Sequence, residues 1–347
     1  MANLKEGVLL GIGNPLLDLQ CRVDEAMLEK YGLEKNSAIL ADRDKHGPLF
    51  EELQKRDDVD LVPGGATQNT LRVAQWLLGT PKTTAFFGCV GRDETGEKLK
   101  QKAVEAGVDV QYQYTDKEKT GTCGALIYKE FRSLVTDLGA ANLFTQEHLD
   151  SEAPKRIVQN AQLYYISGFF LTVSPETIQR VAQHALEANK VFSMNTSAPF
   201  LLQVPLFFQR LMDAMPFIDI LFGNESEADA LAQAIGWGSG LDVEEIALKI
   251  SQLPKKNGKR PRMVVITQGH DPTVVVTGGK ATKYPVTELP KEELVDTNGA
   301  GDAFVGGFLA QYVQGKELNE CIRCGSWAAN VVIRRTGCTF PAKCDFA

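Results

Sequence analysis

Between Val295 and Leu309 the chain reads VDTNGAGDAFVGGFL. Gly299, Ala300 and Gly301 carry almost no side chain, so their successive amides can form an anion-binding nest at the mouth of the helical run that follows. Asp302 comes next. A carboxylate in a first helical turn is favourable in itself, because the helix N-terminus is partly positive. That bland reading accounts for Asp302 but not for three small residues before it. A phosphoryl-transfer site accounts for both: Asp302 takes the proton of an attacking alcohol while the amides hold the phosphoryl group under attack.

Other stretches fit this chemistry with less force. Gly64-Gly65-Ala66-Thr67-Gln68-Asn69 opens an amphipathic helix (Leu71, Ala74, Leu77, Leu78) closed by Gly79. It reads equally as a tight turn with a cap or as backbone approaching a polyol, with Asn69 on its hydroxyls. Asp18 lies on the polar face of LLDLQCRV, where it is either solvated or a hydroxyl ligand. Asn224 and Glu227 in GNESEA have capping-box spacing, which is compatible with a role beside magnesium and phosphate. Thr267-Gln268-Gly269 follows an apolar run and suits a nucleotide rest. Two phosphate motifs are absent: GRDETGEK (91–98) has Glu97 where a P-loop needs lysine, and GIGNPL (11–16) lacks the third glycine of a dinucleotide fingerprint. The four histidines have no metal-ligand spacing, and C-x2-C-x13-C-x5-C from Cys321 to Cys344 is a poor match to a zinc ribbon.

The elements that must position these residues alternate. LYYIS (163–167), VFSMN (191–195), DILF (219–222) and MVVIT (263–267) are continuous apolar runs separated by amphipathic helices, one beginning at Ser174-Pro175-Glu176. This pattern predicts an α/β fold with a parallel sheet covered on both faces and ligands beyond the carboxyl ends of its strands, near Asn195, Asn224 and Thr267. LLDLQCRV (16–23) instead alternates, with Leu17, Leu19, Cys21 and Val23 on one face. The stretch 111–138 also reads as short strands. Together they predict a small half-exposed sheet that acts as a lid.

Composition bounds the rest. With 347 residues, 44% of them hydrophobic and 23% charged, the chain suits a globular protein of one large domain plus an extra element, or two domains. A net charge of -7 disfavours nucleic acid and anionic lipid as partners. VLLGI (8–12) is too short for a membrane span. Seven scattered cysteines suggest reduced thiols and a cytoplasmic protein, with nuclear presence also allowed.

DTNGAGDAFVGGF (296–308) resembles the C-terminal signature of the ribokinase-like carbohydrate kinases, and GGATQN (64–69) with GCVGRDETG (88–96) resembles their N-terminal one. GNPLLDL (13–19), RVAQW, TGTC, RSL, GFFLTVSPE, SAPF, DILFGNE and RRTGCTFP resemble, in order, the members that phosphorylate adenosine. The resemblance implies a large α/β nucleotide-binding domain (1–15, 39–110 and 139–347) and a small β lid (16–38 and 111–138). It also implies transfer of the ATP γ-phosphoryl group to the ribose 5′-hydroxyl of adenosine, with Mg²⁺, in a monomeric enzyme.

By the same resemblance, Asp302 is the base, Gly299, Ala300 and Gly301 are the anion hole, and Arg132 reaches over the phosphoryl group. Asp18, Asn69 and the Gly65 backbone bind ribose, with Asn14 and Ala66 beside the nucleoside. Leu16, Leu40, Leu134, Thr136, Leu138, Phe170 and Phe200 wall the purine, with Cys123 nearby. Asn224 and Glu227 serve metal and phosphate; Asn195, Thr267, Gly269, Asn298 and Ser326 serve ATP. The chain departs from the usual pattern at Ala38, Ala66, Thr136 and Ser326, which leaves base selectivity and donor preference open. Another sugar or nucleoside kinase of the family, or a non-catalytic nucleotide-binding relative, are the alternatives.

Overall fold

The structure, a computed structural model, describes residues 4–35, 37–129 and 131–346. Asn36 and Glu130, within the expected lid segments, lie outside the described residues, as do residues 1–3 and Ala347 of the expected large body. In chain order the strands are β1 (Leu9–Ile12), β2 (Leu16–Arg22), β3 (Ala38–Leu40), β4 (Asp60–Gly64), β5 (Thr84–Gly91), β6 (Asp109–Thr115) and β7 (Thr120–Tyr128). They continue as β8 (Phe131–Gly139), β9 (Leu163–Ile166), β10 (Val191–Asn195), β11 (Ile220–Asn224), β12 (Met263–Gln268), β13 (Asp271–Thr277) and β14 (Lys280–Tyr284).

Nine strands form one sheet in the order β14-β13-β12-β11-β10-β9-β1-β5-β6. Pairing is parallel from β6 to β12, and the β12-β13-β14 edge is antiparallel. The apolar runs LLGI, TAFFGCVG and LYYI are buried along their whole length, as strands covered on both faces must be. One face packs Ile178, Val181, Leu231 and Ile246; the other packs Leu71, Ala74, Phe304 and Phe308. From β1 the chain builds outward through β5 to β6, then returns to β9 and builds the other way. The β1/β9 boundary is therefore the point where a ligand crevice opens. Thr67, near the start of the helix Ala66–Leu78, sits at that boundary: its hydroxyl donates to the Ile12 carbonyl (3.3 Å) and accepts from the Ser167 amide (3.2 Å).

Five strands form the second sheet, ordered β3-β8-β7-β2-β4. The alternation of LLDLQCRV governs it. Leu19, Cys21, Leu126 and Val135 pack beneath the helices Glu25–Tyr31 and Arg43–Gln54, against Met27, Leu28, Leu49 and Leu53. The opposite face carries Asp18, Gln20, Cys123, Arg132, Leu134 and Thr136, because residues two apart share a face. Sheet membership differs from the expected boundaries in two places. Residues 39–64, expected in the large body, supply most of β3, a covering helix and the edge strand β4 to the small layer. Residues 111–115, expected in the lid, belong to β6 at the edge of the large sheet.

All seven cysteines are free thiols, and among the described residues no cluster of His, Cys, Asp and Glu is placed to hold a metal. No helix among the described residues is long and apolar enough to cross a membrane.

Candidate active site

The helix Ala300–Tyr312 reaches the crevice because two glycines let it wedge between neighbours. A Cβ on Gly306 would lie 2.6 Å from the Thr70 carbonyl, and one on Gly307 would lie 2.6 Å from that of Cys324. The helices Ala66–Leu78 and Leu318–Ile333 therefore press on both flanks. Phe308 of this helix is fully buried, edge-on to Phe222. This packing brings two helix N-termini together, and Asn69 Nδ2 donates to Asp302 Oδ2 at 3.1 Å.

Gly299 precedes this helix in the left-handed conformation (φ 76°), and a Cβ there would strike that of Cys338 at 2.8 Å. The open amides differ from the expected set at one position, Asp302 standing in for Ala300. The Ala300 amide turns back to the Thr297 carbonyl (3.3 Å), whereas the amides of Gly299, Gly301 and Asp302 have no hydrogen-bond partner among the described residues. At Gly301 a Cβ would meet nothing within 4 Å, so the backbone there borders open space. Three amides beside one carboxylate remain available to an anion.

Asp302 is half-buried, and burial pushes its carboxyl up to about 7; the Asn69 hydrogen bond opposes this and the Glu227 charge adds to it. Asp18 is also raised to about 7 by burial, with Arg132 and the Asn298 side chain opposing and Asp302 and Asp296 adding. A base held near neutrality is matched to accepting an alcohol proton at physiological pH.

Two glycines shape the floor. A Cβ on Gly64 would fall 2.2 Å from Asp18 Oδ1, and one on Gly65 (φ 93°) would fall 2.2 Å from the Asn14 carbonyl. Buried Asn14 and Asn69 each carry an Oδ1 with no partner among the described residues. Orphaned buried oxygens are costly unless a ligand donates to them, and these two flank the aspartates. Above them, Leu40, Thr136, Cys123 and Asp18 are register partners across the small sheet, and Ala38, Leu134, Ala125 and Gln20 form the next row. Leu16 is buried, and Leu40, Leu134, Thr136 and Leu138 are half-buried, so the expected apolar residues share the face that bears Asp18. The Thr136 hydroxyl donates to Cys123 Sγ (3.3 Å), and burial holds that thiol near 12, well away from thiolate chemistry. Half-buried Ala66 opens its helix. Phe170 is fully buried edge-on to Phe144; its neighbour Phe169 is the half-exposed partner of Phe200, 6.4 Å away.

The expected donor residues are more self-contained. Asn195 Oδ1 accepts from the Gly168 amide (2.9 Å) and the Ser197 hydroxyl (2.6 Å), so it fastens the turn after β9. Asn224 and Glu227 form a complete capping box on the helix Glu225–Ile235. Glu227 is buried and raised by that burial, and its Oε2 also accepts from the Thr196 hydroxyl (2.6 Å). Thr267, next to last in β12, is half-buried, Gly269 is exposed in the turn beyond the strand (φ 58°), and Ser326 is half-buried on the helix Leu318–Ile333. The Asn298 amide donates to Asp296 (2.9 Å).

Arg132 arrives from β8 almost buried and pairs with Asp296 of the VDTNGAGD loop and with Gln20 Oε1 (2.6 Å) of β2. Neither partner was singled out from sequence. Asp296 had a signal, since it lies in the same signature as Asp302. Gln20 had a weaker one, its place on the polar face with Asp18.

A model of the pfkB family of carbohydrate kinases matches residues 26–344. Adenosine kinase 1 of Arabidopsis thaliana is 52% identical over 342 residues, covering 98% of both chains. The crystal structure of Anopheles gambiae adenosine kinase in complex with P1,P4-di(adenosine-5) tetraphosphate superposes with a TM-score of 0.95 at 47% identity, over 99% of this chain and 100% of that one. Adenosine kinase from Schistosoma mansoni in complex with 2-fluoroadenosine gives a TM-score of 0.93 at 34% identity, over 98% of each chain.

Proposed function

Because the chain belongs to the pfkB family of carbohydrate kinases, we propose that it phosphorylates adenosine at the ribose 5′-hydroxyl, consuming ATP and giving AMP and ADP. The observation that carries this reading is Asp302, raised towards neutrality and set against three open amides and the orphaned oxygens of Asn14 and Asn69. Asp302 accepts the hydroxyl proton as the alcohol oxygen attacks the γ-phosphorus. The bond from that phosphorus to the β–γ bridging oxygen breaks, and ADP leaves with the electron pair. Charge gathering on the transferring group is met by the amides of Gly299, Gly301 and Asp302 and by the Arg132 guanidinium. Asn14, Asp18 and Asn69 supply polar contacts to the sugar, and the leucine-lined face of the small sheet suits a purine.

The donor set also fits a magnesium ion brought in with the triphosphate. Magnesium needs few protein carboxylates when phosphates complete its shell, and Glu227 is a buried carboxylate close enough to Asp302 to shift it. Asn224 and Glu227 would hold that ion, which offsets charge on the phosphates when bound. A coupled ADP-release assay with adenosine, inosine, guanosine and ribose tests the whole reading. Adenosine is expected to turn over fastest by a wide margin. Equal turnover of ribose would remove the purine-binding role of the small sheet, and no ADP release with any of them would remove the enzyme.

A further inference from the structure

We propose that Asp296 is a positioning residue for phosphoryl transfer: its carboxylate aligns Arg132 over the anion nest, acting through the arginine and not on substrate. The inference rests on the role given to Arg132 in the proposed function.

Three elements meet at Asp296. One oxygen, Oδ1, takes Arg132 Nη1 from β8 and the Asn298 amide (2.9 Å) of the loop that leads into Gly299. The other, Oδ2, takes the Gly337 amide (2.7 Å) of the C-terminal segment. Asp296 is only 8% exposed and Arg132 9%. The two backbone amides fix the carboxylate to the large body whether or not the arginine is present, so it is a rigid reference point and not a flexible surface partner. Arg132, by contrast, belongs to the small sheet. Its Nη2 donates to Gln20 Oε1 two strands away, on the same face as Asp18.

The guanidinium is thus held at two of its corners, one by the large body and one by the small sheet. A planar group anchored from both bodies has its orientation set, which is the condition for placing its charge against one that appears only in the transition state. The same Asp296 oxygen that aligns the arginine also tethers the Asn298 amide next to the nest, so the guanidinium and the nest are registered to one atom. A buried ion pair is a poor device for stability, because desolvation offsets much of its attraction. Orientation is the better account of this pair.

A double-mutant cycle tests the assignment. In the wild-type background Asp296→Asn is expected to lower kcat about 10- to 100-fold with adenosine KM held within about threefold, since only an interaction used in the transition state is lost. In an Arg132→Ala background the same change is expected to lower kcat less than about twofold, because nothing is left to align. Gln20→Met, which leaves the loop untouched, is expected to show the same dependence at about 3- to 10-fold, and serves if Asp296→Asn does not fold. Equal losses in both backgrounds, or normal turnover in both single variants, would overturn the positioning role while leaving Arg132 in place. Normal turnover of Arg132→Ala alone would instead overturn the arginine's role, and the inference with it.

Discussion

The acceptor and donor halves of the crevice are built on opposite plans. On the acceptor side Asn14 and Asn69 hold buried oxygens that have no partner among the described residues, two carboxyls are pushed up to about 7, and three amides donate to no described residue. On the donor side Asn195, Asn224 and Glu227 are tied into local networks that close turns and cap a helix. Unsatisfied groups make the acceptor half costly to leave empty and selective once filled, because a ligand lacking the right hydroxyl leaves them stranded. Satisfied groups make the donor half stable before ATP arrives and leave its recognition to backbone and shape. Specificity is therefore concentrated where the crevice holds buried oxygens that a ligand can satisfy.

The largest effect should come from the centre of the acceptor half. Asp302→Asn is expected to lower kcat roughly 100- to 10,000-fold while calorimetric adenosine affinity stays close to wild type. Near-normal turnover would show that the carboxylate is not the base. Next comes pH. The ionised form is the competent base, so kcat/KM should fall as pH drops below about 7, and this limb should be absent from Asp302→Asn. The same shift has a stability consequence. A carboxyl whose folded value is raised is an asset at low pH, and that asset is lost as pH rises from the unfolded value of 3.8 through the folded one near 7. Asp302→Asn should accordingly melt higher than wild type above pH 7 and gain little at pH 4; an unchanged difference in Tm across that range would contradict the shift.

Smaller effects separate the halves. Asn14→Ala removes one ligand-satisfied oxygen and should raise the KM for adenosine about 3- to 10-fold with little loss of kcat. Asn195→Ala should do the reverse of a binding mutation: a loss of about 1–2 kcal/mol in urea unfolding and an ATP KM within about twofold of wild type. A tenfold rise in that KM with unchanged stability would erase the distinction between the two halves.

Much of this architecture can be read from the chain. Continuous apolar runs such as LYYI report strands covered on both sides, and the alternation in LLDLQCRV separates a greasy face from the one bearing Asp18. The misread elements share a cause, which is that edges of sheets lose the usual pattern. Strand β6 alternates, Gln111 and Gln113 against Tyr112 and Tyr114, and so resembles a half-exposed lid strand although it flanks the parallel sheet. Strand β4 carries Leu61 at 58% exposure and a proline, a composition that edge strands tolerate and a core strand does not. The Arg132–Asp296 pair joins residues 164 positions apart, and no local spacing encodes such a partnership. The exchange of Asp302 for Ala300 in the nest was hidden for a different reason. Which amide turns back on itself depends on the left-handed conformation at Gly299, a dihedral that composition permits but does not dictate.

The small sheet imposes one further constraint. Its pleat assigns every odd residue of β2 to grease and every even one to the crevice, so inserting or deleting a single residue within Leu16–Arg22 would exchange the two sets wholesale, sending Asp18 under the helices and Leu17 or Leu19 towards the sugar. Substitutions here erode function by degrees, whereas a one-residue change in length inverts the surface outright. Natural length variation among such enzymes should accordingly gather in the connections between strands and spare the strands themselves.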